Sequence, residues 1–220
     1  MDELRPFLQP SASVESDHPR ILELSRELTA GVEDPPERAR LLFRFVRDTI
    51  SYSPYLPFHL PEHHRATVIL QRGKGFCIHK AVVLASLARA AQIPARLVFV
   101  DMINHLAPAR IIEFLGTTLF VYHCYAQLHL GGQWLRATPA FDRALCQKHD
   151  FPLVEFDGRS DAIFPEWTPG GQRCVEYVRK RGTFADVPLE PMLQAWGETY
   201  GVLRVEQWKQ RVLTAEPGRW

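Results

Sequence analysis

The chain has 220 residues, 46% of them hydrophobic, and carries 26 basic against 25 acidic side chains for a formal net charge of +1. That length and composition fit one large domain with a sizeable core. The even charge balance offers no electrostatic basis for nucleic-acid binding, and no run approaches the roughly 18 apolar residues of a membrane span, so neither partner is expected.

The first residues, Met1-Asp2-Glu3-Leu4-Arg5-Pro6, lack the basic start and apolar stretch of a secretory leader. Cysteines stand at 77, 124, 146 and 174 with no C-x-x-C pair. We expect free thiols in a reducing cytoplasm, with neither a disulfide framework nor a structural zinc site.

Residues 1–18 are rich in Pro and Ser and are expected to lie extended on the surface. A first helix is expected from about Pro19 to Ala30, with Asp17 near its N-cap. In a second, Asp34 is placed to cap, Pro35 and Pro36 suit the opening turn, and Leu41, Leu42, Phe45, Val46 and Ile50 form an apolar stripe. Ser51 to Arg65 reads as an aromatic, Pro- and His-rich loop that forms one wall of a cleft. Its His59, His63 and His64 lack the carboxylate or thiol that would complete a metal-binding spacing.

Gly73-Lys74-Gly75-Phe76-Cys77 follows, and behind it an Ala/Leu-rich run through Ala90. The glycines predict a tight turn and the run a helix, apolar almost all round and therefore central to the domain. A cysteine in the first turn of a helix faces unpaired N–H groups and the positive end of the helix dipole, which favour thiolate and lower its pKa. Cysteine is also a common core filler. The Gly-rich approach, the helix and a downstream histidine make Cys77 a candidate nucleophile. His79, two residues on, points about 200° away around the helix and is not the expected base. Arg89 and Arg96 read as structural cations, with Arg89 suited to the helix C-terminus.

Arg96 to Val100 reads as a strand and 119–130 as a longer one. Gly131-Gly132 marks a hairpin turn before Gln133 to Thr138. Alternation sets Phe120, Tyr122, Cys124, Ala126, Leu128 and Leu130 on a core face, making Cys124 a packing residue. The opposite face carries Val121, His123, Tyr125, Gln127 and His129, and so presents His123 to a cleft. His105 and His129 read as surface or sheet-edge residues, and Trp134 as core packing beside the site. Residues 139–186 look irregular, with a strand-like Leu153 to Phe156. A helical tail from about Glu190 to Leu213 offers Met192, Trp196, Tyr200, Leu203 and Trp208 for packing.

A thiolate nucleophile needs an imidazole within hydrogen-bond reach, and a third group usually orients that imidazole. With Cys77 and His123 supplying the first two, the chain resembles the transglutaminase-like superfamily. The matching residues are Asp48-Thr49-Ile50-Ser51-Tyr52, the Gly73–Cys77 run, Leu87 through Arg96 with its Arg-Ala-x-x-Ile-Pro-Ala-Arg pattern, and the His123 strand leading to Trp134. The resemblance covers roughly residues 20–142, with looser similarity to bacterial members beyond. It implies an α+β, papain-like fold: N-terminal helices, including a buried Cys-bearing helix, packed on an antiparallel sheet. One domain over 1–220 is expected, with 143–220 as an extension packed on the core.

The resemblance also implies a Cys-His-Asp triad and acyl transfer on amides, with no metal or organic cofactor. Members carry an Asp shortly after the tryptophan, whereas here Thr138 stands in that place and Asp142 lies four residues further on. The third member is therefore Asp142 or Thr138, and a hydroxyl cannot stabilise an imidazolium as a carboxylate does. The implied reaction is attack by Cys77 on a carboxamide or peptide carbonyl, with oxyanion support from the Cys77 N–H and protonation of the leaving amine by His123. The expected partners are protein, peptide or small amide substrates. Two alternatives stand beside the hydrolase or acyltransferase. One is a catalytically degenerate binding module, suggested by the missing Asp. The other is an acyl-CoA-dependent N-acetyltransferase, disfavoured by the lack of a phosphate-binding loop.

Overall fold

The computed structural model describes residues 2–214. Met1 and 215–220, the two ends of the expected domain, lie outside the described residues. In chain order it contains helix α1 (Pro19–Leu28), α2 (Pro35–Thr49), strand β1 (Ser51–Tyr52), α3 (Ala66–Arg72), β2 (Lys74–Gly75), α4 (Cys77–Ala90) and β3 (Ala95–Asn104). Then follow α5 (Ala109–Leu115), β4 (Leu119–Leu130), β5 (Gln133–Ala137), α6 (Arg143–His149), β6 (Val175–Phe184), α7 (Leu189–Tyr200) and α8 (Val202–Thr214). The main sheet is antiparallel in the order β5-β4-β3-β6, and β1 and β2 form a short parallel pair. This is the α+β arrangement expected, with the cysteine helix laid on an antiparallel sheet.

α4 is buried from Ile78 to Arg89 because its side chains are apolar almost all round, and it packs between α1, α2 and α3 on one side and β3 and β4 on the other. Two buried cations hold it. Lys80 Nζ donates to the carbonyls of Arg47 (2.8 Å) and Ile50 (2.7 Å), closing the C-terminal end of α2. Burial pushes the Lys80 ammonium down to about 7, against the opposing pull of Asp142 and Asp48. Arg89 donates to Ala95 O, Gln9 O and Ala185 O, so its partners are loop and strand carbonyls rather than the helix end expected for it. The close approach before Cys77 is real: a Cβ on Gly75 would stand 2.9 Å from His79 Cβ.

Several local expectations need correction. The N-cap of α1 is His18, whose Nδ1 accepts from Arg20 N, not Asp17. Asp34 is the N-cap of α2 but makes no capping hydrogen bond, and it pairs with Arg159 instead. Residues 13–16 are buried rather than lying on the surface. Glu15 there accepts from Thr67 N–H, the Thr67 hydroxyl and Arg65, and so ties the leading segment to α3.

The 153–156 segment forms no strand, although Val154 and Phe156 are buried, and the strand of this region is β6, paired along β3. β6 is a sheet edge dotted with Arg179, Lys180 and Arg181, and that charge hides its alternation. The helical tail breaks at Gly201 into α7 and α8, and Leu203 is 81% exposed rather than packed. Trp134 lies under the Arg96 guanidinium (3.9 Å) among Phe7 and His129, away from the site.

Candidate active site

Cys77 is the first residue of α4, and its side chain borders a cavity that His123 of β4 also borders. Its thiol faces the backbone N–H groups of Cys124, Ile78 and Cys77, all of which favour thiolate. Burial outweighs them and pushes the thiol up to about 11, opposite to the lowering read from the helix N-terminus alone. The helix dipole acts within its first turn, but the thiol sits in an apolar chamber where charge is costly. All four cysteines are unpaired, and Cys124, with its side chain in the core, is the packing residue expected.

His123 reaches the cavity by a distortion of its strand. Tyr122 has φ +61°, and the register of β4 against β3 slips between Val100 and Met102. The simple alternation therefore fails at this point: Phe120, Val121, Tyr122 and His123 all border the cavity, while Cys124, Ala126, Leu128 and Leu130 resume the core face. Asp101, in the slipped stretch of β3, pins the distortion. Its Oδ1 accepts from Tyr122 N–H (3.1 Å), and both its oxygens accept from Arg181 Nε (2.9 Å each). The Arg181 guanidinium also lies 5.2 Å from the Tyr122 ring centre. Neither Asp101 nor Arg181 stands out in the sequence, because the pair forms only when β6 lies beside β3.

The third position has two candidates, and the structure sets them apart. Asp142 caps α6: Oδ1 accepts from Leu145 N–H (2.8 Å) and Oδ2 from Tyr52 N–H (2.8 Å), and it does not border the cavity. No carboxylate acts on His123, whose imidazole burial alone pushes down to about 3. Thr138 lies one residue beyond the last β4–β5 pair, Ala126–Ala137. Continuing that register sets it opposite Tyr125, on the face His123 shares. Thr138 Oγ1 and His123 Nε2 are both buried without a hydrogen-bond partner among the described residues. Tyr177 of β6 stands by both, its ring centre 6.4 Å from that of His123 and its hydroxyl approaching Thr138 and the Phe164 backbone without completing a bond.

His79 packs on Phe76 and His64 and lies outside the cavity, in line with its helical angle. His105 pairs with Glu176 at 3.6 Å. Among the described residues no group of three His, Cys, Asp or Glu side chains is gathered to hold a metal ion. The loop expected to form a cleft wall does so through Tyr52, Pro54 and Phe58. The opposite wall was not foreseen: Ile111, Phe114 and Leu115 of α5 with Trp196, Tyr200 and Trp208 of α7 and α8.

Three buried imidazoles, His64 (down to about 4), His79 and His123 (down to about 3), are held neutral chiefly by desolvation. Their folded pKa values lie below the unfolded ones, so the unfolded chain takes up protons first as pH falls. Their stabilising contribution is full above about pH 6.5 and is lost on acidification toward pH 3–4. Thermal melts should show the melting temperature falling steadily from pH 7 to pH 5, and a flat profile would contradict this burial pattern.

The sequence profile of the transglutaminase-like superfamily matches residues 22–139. The chain belongs to that superfamily. The match ends at Pro139, so α6, β6, α7 and α8 all lie beyond the family core. Among solved structures, the chain is similar to a proposed cysteine protease from Cytophaga hutchinsonii, with 15% identity, a TM-score of 0.55, and coverage of 87% of this chain and 50% of that one. At that identity the likeness concerns the fold. The periplasmic domain of TgpA from Pseudomonas aeruginosa matches 60% of this chain and 45% of its own, with 26% identity and a TM-score of 0.43. This transglutaminase-like chain thus spans about half the length of these structures. No curated protein matches it. Among the described residues, no helix is long and apolar enough to cross a membrane.

Proposed function

We propose that this transglutaminase-like chain is a thiol-dependent amide hydrolase or acyltransferase in which Cys77 is the nucleophile and His123 the general base. The observation that carries this reading is the convergence of the α4 N-terminus and the distorted β4 strand on one cavity, with Cys77 and His123 on its walls. Burial disfavours charge on both groups, so the resting pair is a neutral thiol beside a neutral imidazole rather than an ion pair.

Attack then couples two events. The sulfur–carbon bond forms as the thiol proton passes to His123. The carbon–nitrogen bond breaks as that proton passes on to the leaving amine. The tetrahedral oxygen gathers charge at the start of α4, where the first N–H groups of the helix have no intrahelical carbonyl to bond. Water then attacks the thioester: its oxygen bonds to the acyl carbon, the carbon–sulfur bond breaks, and its proton returns to sulfur through His123. An amine in place of water would complete transamidation. Hydrolysis is favoured because it needs no second binding site.

The substrates are peptides, proteins or small amides, and four unpaired cysteines suit a reducing, cytoplasmic setting. Thr138, in the carboxylate's place, supports one further reading, a binding module that has kept the fold without the chemistry. Turnover of a panel of N-acyl-aminoacyl aminomethylcoumarin amides separates the two. Activity that disappears in Cys77→Ala supports the enzyme. Equal signals in both proteins, with amides still bound, support the module.

A further inference from the structure

We infer that the acyl group passed to Cys77 is an aminoacyl residue whose side chain is bulky, uncharged and apolar, of leucine or phenylalanine size, and not a glutamine side chain. This rests on the thiol reading above and specifies its substrate. The chamber beside Cys77 has a volume of about 90 Å³. That is of the order of a single branched or aromatic side chain, against the roughly 150 Å³ of an apolar cavity that admits benzene. Among the described residues its walls carry no carboxylate, ammonium or guanidinium.

Two polar groups of these walls, on Tyr200 and Trp196, are already committed. The Tyr200 hydroxyl accepts from Val121 N–H (2.7 Å) and donates to Leu119 O (3.2 Å), and Trp196 Nε1–H donates to Val121 O (2.8 Å). Both rings thereby turn their polar ends to the β4 backbone and leave their hydrocarbon surfaces to the chamber. A carboxamide seated there would lose its water partners and gain few, a penalty of about 1–3 kcal/mol, whereas an isosteric isobutyl group would pay none.

The outer wall is braced against collapse by α5 together with this chain's own extension. Phe114 of α5 stacks on Trp208 of α8 with ring centres 4.6 Å apart, and Trp208 meets Tyr200 at 5.4 Å. Arg204 donates to the carbonyls of Glu113 and Phe114 at the end of α5. Trp196 also packs directly on Phe58, with ring centres 5.1 Å apart. Trp196, Tyr200, Arg204 and Trp208 lie beyond residue 139, where the superfamily match stops. The extension therefore shares with α5 and the 52–58 loop in shaping the chamber, and the family core supplies the thiol.

The test measures Cys77 acylation by N-benzyloxycarbonyl thiobenzyl esters of Phe, Leu, Gln and Glu, read as free benzyl thiol and as intact mass. It is run on the wild-type chain and on Phe114→Arg and Ile111→Gln, two changes on half-buried positions of α5. The expected result is a preference for Leu over Gln of about 10- to 200-fold. That preference should narrow in both variants, with Glu gaining most in Phe114→Arg. Acylation of Cys77 with equal rates, or with Gln preferred, overturns the apolar selectivity and leaves the thiol reading standing. Absence of any acylation at Cys77 in the wild-type chain overturns both. If Phe114→Arg does not fold, the Ile111→Gln ratio and the wild-type ratio decide.

Discussion

Cys77→Ser should lower amide turnover by at least about 10³-fold while leaving the thermal melt within a few degrees of wild type, because a hydroxyl in the thiol's place is a far weaker nucleophile. His123→Ala should cost about 10²–10⁴-fold, the usual worth of a positioned base. The pH profile carries the finer claim. With His123 down to about 3 and Cys77 up to about 11, the active neutral pair persists between those limits, so the acylation rate should run flat across neutral pH with no inflection near 6.5. A Cys–His ion pair with an alkaline limb near the ordinary thiol value would contradict the neutral pair. Stopped-flow acylation by a thioester donor across that range, under conditions where the fold holds, distinguishes them.

The second large effect is on stability. Asp101 is 3% exposed and answers both Arg181 and the Tyr122 N–H. Asp101→Ala removes the buried anion, leaving a guanidinium that is 17% exposed and a strand N–H without an acceptor. The expected loss is about 3–5 kcal/mol in urea unfolding, at the lower end because the arginine retains some water. Asp101→Asn keeps an acceptor for Tyr122 N–H and should lose about half as much. Because the same carboxylate holds the positive-φ turn before His123, the alanine variant should also acylate more slowly than the asparagine one at temperatures where both are folded. An alanine variant within 1 kcal/mol of wild type would show that β4 keeps its distortion without Asp101.

Local sequence carried the parts of the fold that depend on neighbours in the chain. The largely apolar run after Cys77 reads as a central helix, Gly131-Gly132 as a hairpin turn, and the closeness of Gly75 to His79 follows from having no side chain there. What stayed hidden depends on residues far apart. The β4 distortion requires a non-glycine residue at positive φ, which no local propensity suggests, and an aspartate and arginine separated by 80 positions maintain it. β6 reads as a charged, irregular stretch until β3 is beside it.

The Cys77 pKa shows the same divide. Sequence placed the thiol at a helix N-terminus and so gave the sign of the dipole effect. The opposing and larger effect, desolvation, comes from aromatic rings delivered by the loop at 52–58, by α5 and by the C-terminal helices. Asp142 and Thr138 were indistinguishable in sequence, and only the Tyr52 and Leu145 N–H groups on its two oxygens show that Asp142 is engaged in the α6 cap.

The most direct measurement is the site of acyl-enzyme formation. The chain is mixed at neutral pH with a thiobenzyl ester donor, quenched in acid and mapped by peptide mass spectrometry before and after hydroxylamine. The acyl group should appear on Cys77 alone, be released by hydroxylamine, and form far more slowly in His123→Ala. Acyl groups spread over Cys124, Cys146, Cys174 and lysines at comparable rates, or a Cys77 adduct formed equally fast without His123, would contradict the pairing of these two residues.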